Sequence, residues 1–109
     1  SKVMDITTVR HRVLADNMAN VNTPKFRRSD VHFLDALRDA MDSDGGPDAI
    51  RDVQGTIDID DESPASPDGN NVSIQKELAE MSQNQMLYNF AARAVNRKYA
   101  GLKKAISGQ

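Results

Sequence analysis

Apolar residues recur with a heptad spacing over the last third of the chain. A narrow apolar stripe of this kind is typical of a long helix that packs against partner helices as in a coiled coil. A core helix of a compact bundle is the alternative, but it would need a wider apolar face and more partners than a chain of 109 residues easily supplies. The stripe is called the heptad seam here, and only one of its members is polar: Ile74, Leu78, Met81, Gln85, Tyr88, Ala92, Val95, Tyr99, Leu102 and Ile106.

Ser73 stands directly before this stripe and predicts where the helix begins, because serine is a favoured N-cap residue. Acidic residues near the start and basic residues near the end complement the helix dipole.

The first residues of the chain predict an amphipathic helix from roughly residue 3 to residue 20. Its apolar positions fall within one broad face when projected at the helical period, and they are Val3, Ile6, Val9, Val13 and Val21. Pro24 then ends it, since proline lacks an N–H and disfavours helical geometry at the preceding residue.

A second, short helix is expected from about Val31 to Met41, with Ser29 or Asp30 as its N-cap. The apolar side of this helix would hold Phe33, Leu34, Leu37 and Met41.

The chain changes character after residue 42. Residues 44–68 hold eight acidic residues against one basic residue, Arg51, and the stretch is rich in glycine and proline. Such a composition is typical of a linker or a disordered loop. Val53, Ile57 and Ile59 alternate with polar residues, which indicates one extended piece or a small hairpin.

These patterns divide the chain into three parts and predict a mainly α fold. Residues 1–42 form an N-terminal helical segment, 43–71 an acidic linker or loop, and 72–109 the long heptad helix. The long N- and C-terminal helices are expected to pair as a coiled-coil-like hairpin, with a short middle helix and an acidic, flexible or weakly β middle segment.

Three asparagines, Asn17, Asn20 and Asn22, stand where the first helix should complete its apolar stripe. One interpretation is helix-end chemistry, because asparagine amides cap backbone groups and tolerate left-handed geometry. The other is that Asn17 and Asn20 lie on the packing stripe and fix the alignment of the helices, with Gln85 as their counterpart. Asn22, Thr23 and Pro24 would form the turn that ends the first helix. On this view Asn17→Leu or Asn20→Leu leaves the helix intact and impairs assembly.

The residues give little support for catalysis or for ligand binding. The chain has no cysteine, and neither His11 nor His32 has a second ligand at metal-site spacing. We expect no enzyme activity, no metal, no cofactor and no nucleic-acid partner. No apolar stretch is long enough to span a membrane, and the N-terminus shows no pattern of a cleaved signal peptide.

Two blocks of the sequence resemble the bacterial flagellar rod and hook proteins. The first is VLADNMANVNTPKF with the following FRRSDVHF, and the second begins NNVSIQKELAEMSQNQMLYN and continues through the C-terminal helix. Lys25 and Phe26 depart from the family pattern, which usually has a glycine and a tyrosine after the Asn-Thr-Pro. The family's N-terminal helix also usually begins well before the residue that stands first here, so we expect an N-terminal segment to be missing.

The resemblance implies a non-enzymatic subunit of the proximal rod in the flagellar basal body. Its partners would be other rod proteins and components of the basal body and export apparatus, in a homo- or hetero-oligomer. It would be exported from the cytoplasm by the type III apparatus without a cleaved signal peptide and assemble in the periplasmic rod. The alternative is a free-standing coiled-coil adaptor or an export-chaperone-like binding module.

Overall fold

The computed structural model describes residues 2–43 and 52–106, and for residues 95–106 only the course of the backbone. The elements follow in the order α1 (Lys2–Ala19), β1 (Ser29–His32), α2 (Leu34–Asp42), β2 (Thr56–Ile59) and α3 (Ile74–Ile106). The prediction of a mainly helical chain with long terminal helices that pair is therefore confirmed.

α1 and α3 lie side by side and run antiparallel. Thr7 near the start of α1 meets Asn84, whereas Asn17 near its end meets Glu77. At 1.5 Å per residue, α1 is about 27 Å long and α3 about 50 Å. α1 can therefore accompany only about half of α3.

Both long helices begin and end close to the predicted residues. Ser73 accepts a hydrogen bond from the backbone N–H of Lys76 at 3.4 Å, as the N-cap of α3. α1 ends at Ala19, more than one helical turn before Pro24. The chain continues as a tight turn from Asn20.

The prediction of a helix from Val31 with a cap at Ser29 or Asp30 is wrong at its start. Residues Ser29–His32 form β1, which pairs antiparallel with β2, and α2 begins only at Leu34 after Phe33. The carboxylate of Asp30 binds the guanidinium of Arg10, so it does not cap a helix.

A small apolar core fills the space between α1, the ribbon of two strands and α2. Ile6, Val31, Phe33 and Val53 are buried there. Val13, Leu34, Leu37, Ala40 and Leu87 pack around them, each partly buried. Ile57 and Ile59 of β2 point to solvent, and Met41 is also exposed.

The Gly45-Gly46-Pro47 part of the predicted linker lies outside the described residues. Among the helices that the structure describes, none is both long and apolar enough to cross a membrane.

Candidate assembly interface

The contact between α1 and α3 combines buried polar and apolar side chains. α3 buries Glu77, Asn84 and Ala91 against α1, one residue from every second turn. The matching face of α1 buries Val3, Thr7, Arg10, Leu14 and Asn17. Hydrogen bonds to α3 therefore set the alignment of the two helices, and the buried Leu14 and Val3 add apolar packing to the same row of α1.

Asn17 is the amide that joins the helices to the ribbon. Its Nδ2 donates to the carbonyl oxygen of Ser29 at 2.7 Å and to Glu77 Oε2 at 3.1 Å. Its Oδ1 accepts from the backbone N–H of Ser29 at 3.0 Å. The side chain is 1% exposed and uses both ends of its amide, so it fixes β1 against α1 and α3 together.

Arg28 and Glu77 form a buried ion pair beneath the ribbon. Arg28 Nε donates to Glu77 Oε1 at 2.5 Å, and Arg28 Nη1 donates to Asp60 Oδ2 at 2.9 Å. Burial alone would lower the pKa of the Arg28 guanidinium, but its hydrogen bonds to Glu77 and Asp60 and the charges of Glu77 and Asp30 outweigh burial and raise that pKa. The guanidinium is therefore fixed in its charged form between three carboxylates.

Asp60 is one of the two carboxylates of this group that remain partly exposed, the other being Asp30. Burial raises its pKa, but hydrogen bonds from the side chain and backbone of Ser63, from Arg28 and from the backbone N–H of Glu62 outweigh that effect and hold the pKa well below its ordinary value. Asp60 thus ties the loop after β2 to the buried arginine.

Arg10 makes a second ionic contact between the helices. Its Nε donates to Asp30 Oδ1 at 3.0 Å and its Nη1 to Gln83 Oε1 at 3.1 Å, and Glu80 pairs with the same guanidinium. The arginine is 1% exposed and also lies 6.0 Å from the ring centroid of Phe33. Asp30 is shared with Arg28, at 3.6 Å, so the two ionic groups are connected.

The turn after α1 is held by amides. Asn20 Nδ2 donates to the carbonyl of Asp16, and Asn20 Oδ1 accepts from the Thr23 hydroxyl. Asn70 reaches across from the segment before α3 and donates to the carbonyl oxygens of Asn20 and Thr23 at 2.9 and 2.7 Å. Asn20 therefore caps backbone groups at the end of α1. Of the two asparagines predicted to lie on the packing stripe, only Asn17 lies between the helices.

Asn22, Thr23 and Pro24 are exposed within this turn. Asn71, the neighbour of Asn70, is buried and binds two backbone groups, the N–H of Arg28 at 2.6 Å and the carbonyl of Asp60 at 2.6 Å.

Lys25 adopts a left-handed backbone conformation, with φ of 64°. Its N–H donates to the carbonyl oxygen of Asp68 at 2.9 Å, and its Cα faces Gly69, itself at φ of 86°. This is the position at which the resembling family usually has glycine. The turn therefore keeps a glycine-like geometry although the residue is a lysine.

Replacing Lys25 with glycine is expected to stabilise the protein by about 1 kcal/mol, because left-handed geometry is unfavourable for any residue with a Cβ. Chemical denaturation should show a higher midpoint for Lys25→Gly. Lys25→Ala removes the same side chain but keeps the Cβ, so it serves as the control and should show no gain. Equal stability of the two variants would mean that the backbone at this position is not strained.

The heptad seam lies beside the face of α3 that packs on α1, not on that face. Ile74, Leu78, Gln85 and Tyr88 are exposed, while Met81 and Ala92 are partly buried. At 100° per residue, the seam lies about a quarter turn from the face that packs on α1. Gln85 donates to Asn89 of its own helix at 3.0 Å, so the partner of Asn17 is Glu77 and not Gln85.

The seam members Val95, Tyr99, Leu102 and Ile106 lie where only the backbone is described. Ile6 and Val13 of α1 are predicted interface residues; Ile6 is buried in the core and Val13 is partly buried beside it.

Sequence reasoning missed the buried polar residues that hold this site together, namely Thr7, Arg10, Arg28, Glu77, Asn84, Asn70 and Asn71. One signal was available for α3, where Glu77, Asn84 and Ala91 repeat every seven residues beside the apolar seam. For Arg28, no local signal distinguishes it from Arg27, which is exposed.

The chain is similar over most of its length to rod proteins of diverse bacteria. It is 30% identical over 116 residues to the "Flagellar basal body rod protein FlgB" of Aeromonas hydrophila, covering 97% of this chain and 88% of that protein. The protein of the same name from Borrelia hermsii is 34% identical over 105 residues, covering 81% and 78%. The Bacillus subtilis protein is 27% identical over 108 residues, covering 92% and 84%. No family model matches the chain.

Proposed function

The chain belongs to the family of the flagellar basal body rod proteins FlgB, and we propose that it assembles into the rod through the heptad seam of α3. It is a structural subunit of the basal-body rod. The observation that carries the proposal is the seam itself, because Ile74, Leu78 and Tyr88 remain exposed after α1 has packed on another face of the same helix.

An exposed apolar stripe on a long helix favours a role as a docking surface for further helices. The chain has its own internal partner for α3, yet that partner uses a polar face and leaves the apolar one open. This division suits a subunit that folds alone only in part and is completed by its neighbours. We infer that the neighbours are other rod proteins and that the chain has no catalytic activity.

The proposal includes the route to the rod. The chain would leave the cytoplasm through the flagellar type III apparatus without a cleaved signal peptide and take its place in the periplasmic part of the basal body. The acidic segment between α2 and α3 suits passage in an unfolded form, because it holds few large apolar residues.

Leu78→Asp tests the seam. The side chain is half exposed in the single chain, so the variant should keep the circular dichroism spectrum and the unfolding midpoint of the parent. In a strain that lacks its own copy of the gene, it should fail to restore motility and be absent from purified basal bodies, because an aspartate cannot be buried between helices without a partner.

Ala15→Asp is the control, since Ala15 is exposed on α1 and lies away from both the seam and the contact between the helices. It should restore motility. Normal motility of the Leu78→Asp strain would refute the role of the seam.

Self-association distinguishes a rod subunit from a free-standing coiled-coil adaptor. A rod subunit should be monomeric in isolation and should gain helix content when mixed with a neighbouring rod protein. Circular dichroism and analytical ultracentrifugation measure both properties. A stable, fully helical dimer of the isolated chain would favour the adaptor.

A further inference from the structure

The two-stranded ribbon has one protected edge and one free edge. On the side of β1 that faces away from β2, the Asn17 amide binds both the N–H and the carbonyl oxygen of Ser29. On the same side, Asp30 Oδ1 accepts from the N–H of Val31 at 2.7 Å. In the part of the chain that the structure describes, no third strand lies beside β2. An uncovered strand edge is a template for pairing with another chain.

The backbone groups of Ile57 and Ile59 face this free edge. The N–H of Asp60 donates to the carbonyl oxygen of Arg28 at 2.9 Å, and the antiparallel register of the ribbon continues from that pair. Successive residues of an antiparallel strand direct their backbone groups to opposite edges. The backbone groups of Asp58 therefore point to β1, whereas those of Ile57 and Ile59 point away from it.

The side chains of the same two isoleucines are in water. Ile57 is 59% exposed and Ile59 is 63% exposed. A groove of about 300 Å³ lies beside Ile57, between the strand and α1. Apolar side chains line most of this groove, among them the exposed Val9, and its two charged residues, Lys2 and Asp5, are of opposite sign. The free edge therefore combines outward backbone groups with a seat for an aliphatic side chain.

The surroundings of the free edge are acidic. Asp58 is exposed in the middle of β2, and the exposed residues Asp52, Asp61 and Glu62 flank the strand. Residues 52–62 contain no lysine or arginine. Opposite charges on neighbouring strands stabilise their pairing, and like charges directly opposite each other destabilise it. A strand that pairs here should therefore carry basic residues.

We propose that β2 binds an extended segment of another protein, one in which basic and apolar residues alternate, and that this segment joins the ribbon as a third strand. Its backbone pairs with Ile57 and Ile59, its apolar side chains pack beside the groove, and its basic side chains lie beside Asp58. Added strands of this kind take affinity from backbone hydrogen bonds and specificity from alternate side chains. The surface is separate from the heptad seam, so the inference goes beyond the proposed function.

A second copy of β2 is a poorer occupant of the edge. In the antiparallel register that pairs Ile57 of one copy with Ile59 of the other, the two copies of Asp58 lie directly opposite each other. Such like-charged pairs are destabilising. Pairing of the same strand from two copies is also isologous and ends after two copies, so it cannot continue along a rod.

A peptide titration of the isolated full chain, followed by NMR, tests the proposal. The probe is a short synthetic peptide in which lysine and valine alternate. We expect it to shift the amide signals of Ile57 and Ile59 and to slow the hydrogen exchange of both N–H groups. A peptide with glutamate in place of lysine should bind more weakly, because β2 is acidic. A lysine–valine peptide that is N-methylated at every residue should not bind, because it has no backbone donor.

Ile59→Pro removes an N–H that points to the free edge and leaves the pairing with β1 in place, since proline is tolerated at such edge positions. It should weaken binding of the lysine–valine peptide about tenfold, which corresponds to one lost backbone hydrogen bond. Ile59→Val keeps both the N–H and a β-branched side chain, so it is the matched control and should bind as the parent does.

Three results would overturn the proposal. They are the absence of shifts at Ile57 and Ile59, equal binding of the lysine and glutamate peptides, and equal binding by the proline and valine variants. Shifts of the same two amides when the chain alone is concentrated would overturn it in favour of pairing between two copies. None of these measurements depends on motility, so a failure here is distinguishable from a failure of the rod function.

Discussion

Arg28→Ala should destabilise the protein by about 3–5 kcal/mol, because it removes one partner of a buried ion pair. Arg28 is 2% exposed and Glu77 is 0% exposed, so the glutamate would be left as an uncompensated charge in the interior. A domain of this size is stable by roughly 5–15 kcal/mol at most, so the variant should be partly unfolded at the temperatures at which the parent is folded.

Equilibrium unfolding in urea, followed by circular dichroism, measures this loss as a lower midpoint. Arg27→Ala is the matched control, because the neighbouring arginine is exposed and its loss should change stability by less than about 0.5 kcal/mol. The double variant Arg28→Ala/Glu77→Gln should recover part of the loss, since no charge then remains buried alone. If Arg28→Ala and Arg27→Ala were equally stable, the ion pair would have no structural role.

Asn17→Leu should destabilise the protein by about 3 kcal/mol, although leucine is the better helix former. The substitution leaves the N–H and C=O groups of Ser29 without their partner and removes a hydrogen bond to Glu77. Each buried polar group left unpaired costs about 1–3 kcal/mol, which exceeds any gain in helix propensity. The sequence alone leads to the opposite expectation, a helix left intact or strengthened.

Thermal and urea unfolding of Asn17→Leu and Asn17→Ala would measure the effect. Asn17→Ala removes the same hydrogen bonds without adding bulk, so a similar loss in both variants would assign the effect to the amide. Asn22→Leu is the control, because Asn22 is exposed in the turn. A stable Asn17→Leu variant that still failed to assemble would restore the view that this amide serves only the contact between subunits.

The sequence predicted the two long helices well because their signals are local. The heptad seam extends over several repeats, and Ser73 stands where a cap is needed, so α3 could be placed almost to the residue. The sequence could not show which face of α3 packs on α1. That face is defined by Glu77 and Asn84, whose burial depends on Arg28 and on the backbone of Thr7, far away along the chain.

The strand β1 is another element that the local sequence could not predict. Ser29 and Asp30 have the residue types of a helix N-cap, and nothing nearby indicates a strand. Four residues become a strand here only because Thr56–Ile59 pairs with them across a long loop. For Lys25, residue type argues against a positive φ, and only the glycine usual in the family pointed to that geometry.

The polar contact between the two long helices also has a consequence for the order of folding. Asn84 and the carbonyl of Thr7 are separated by 77 residues, and Glu77 and Arg28 by 49, so the stabilising contacts are distant in sequence for a mainly helical protein. Chains with such high contact order fold more slowly than simple helical bundles. During synthesis from the N-terminus, Asp30 and Asp60 are made before α3, but Glu80 and Glu77, the remaining carboxylate partners of Arg10 and Arg28, are not. The ionic groups that join the two long helices can therefore be completed only when the last third of the chain is present.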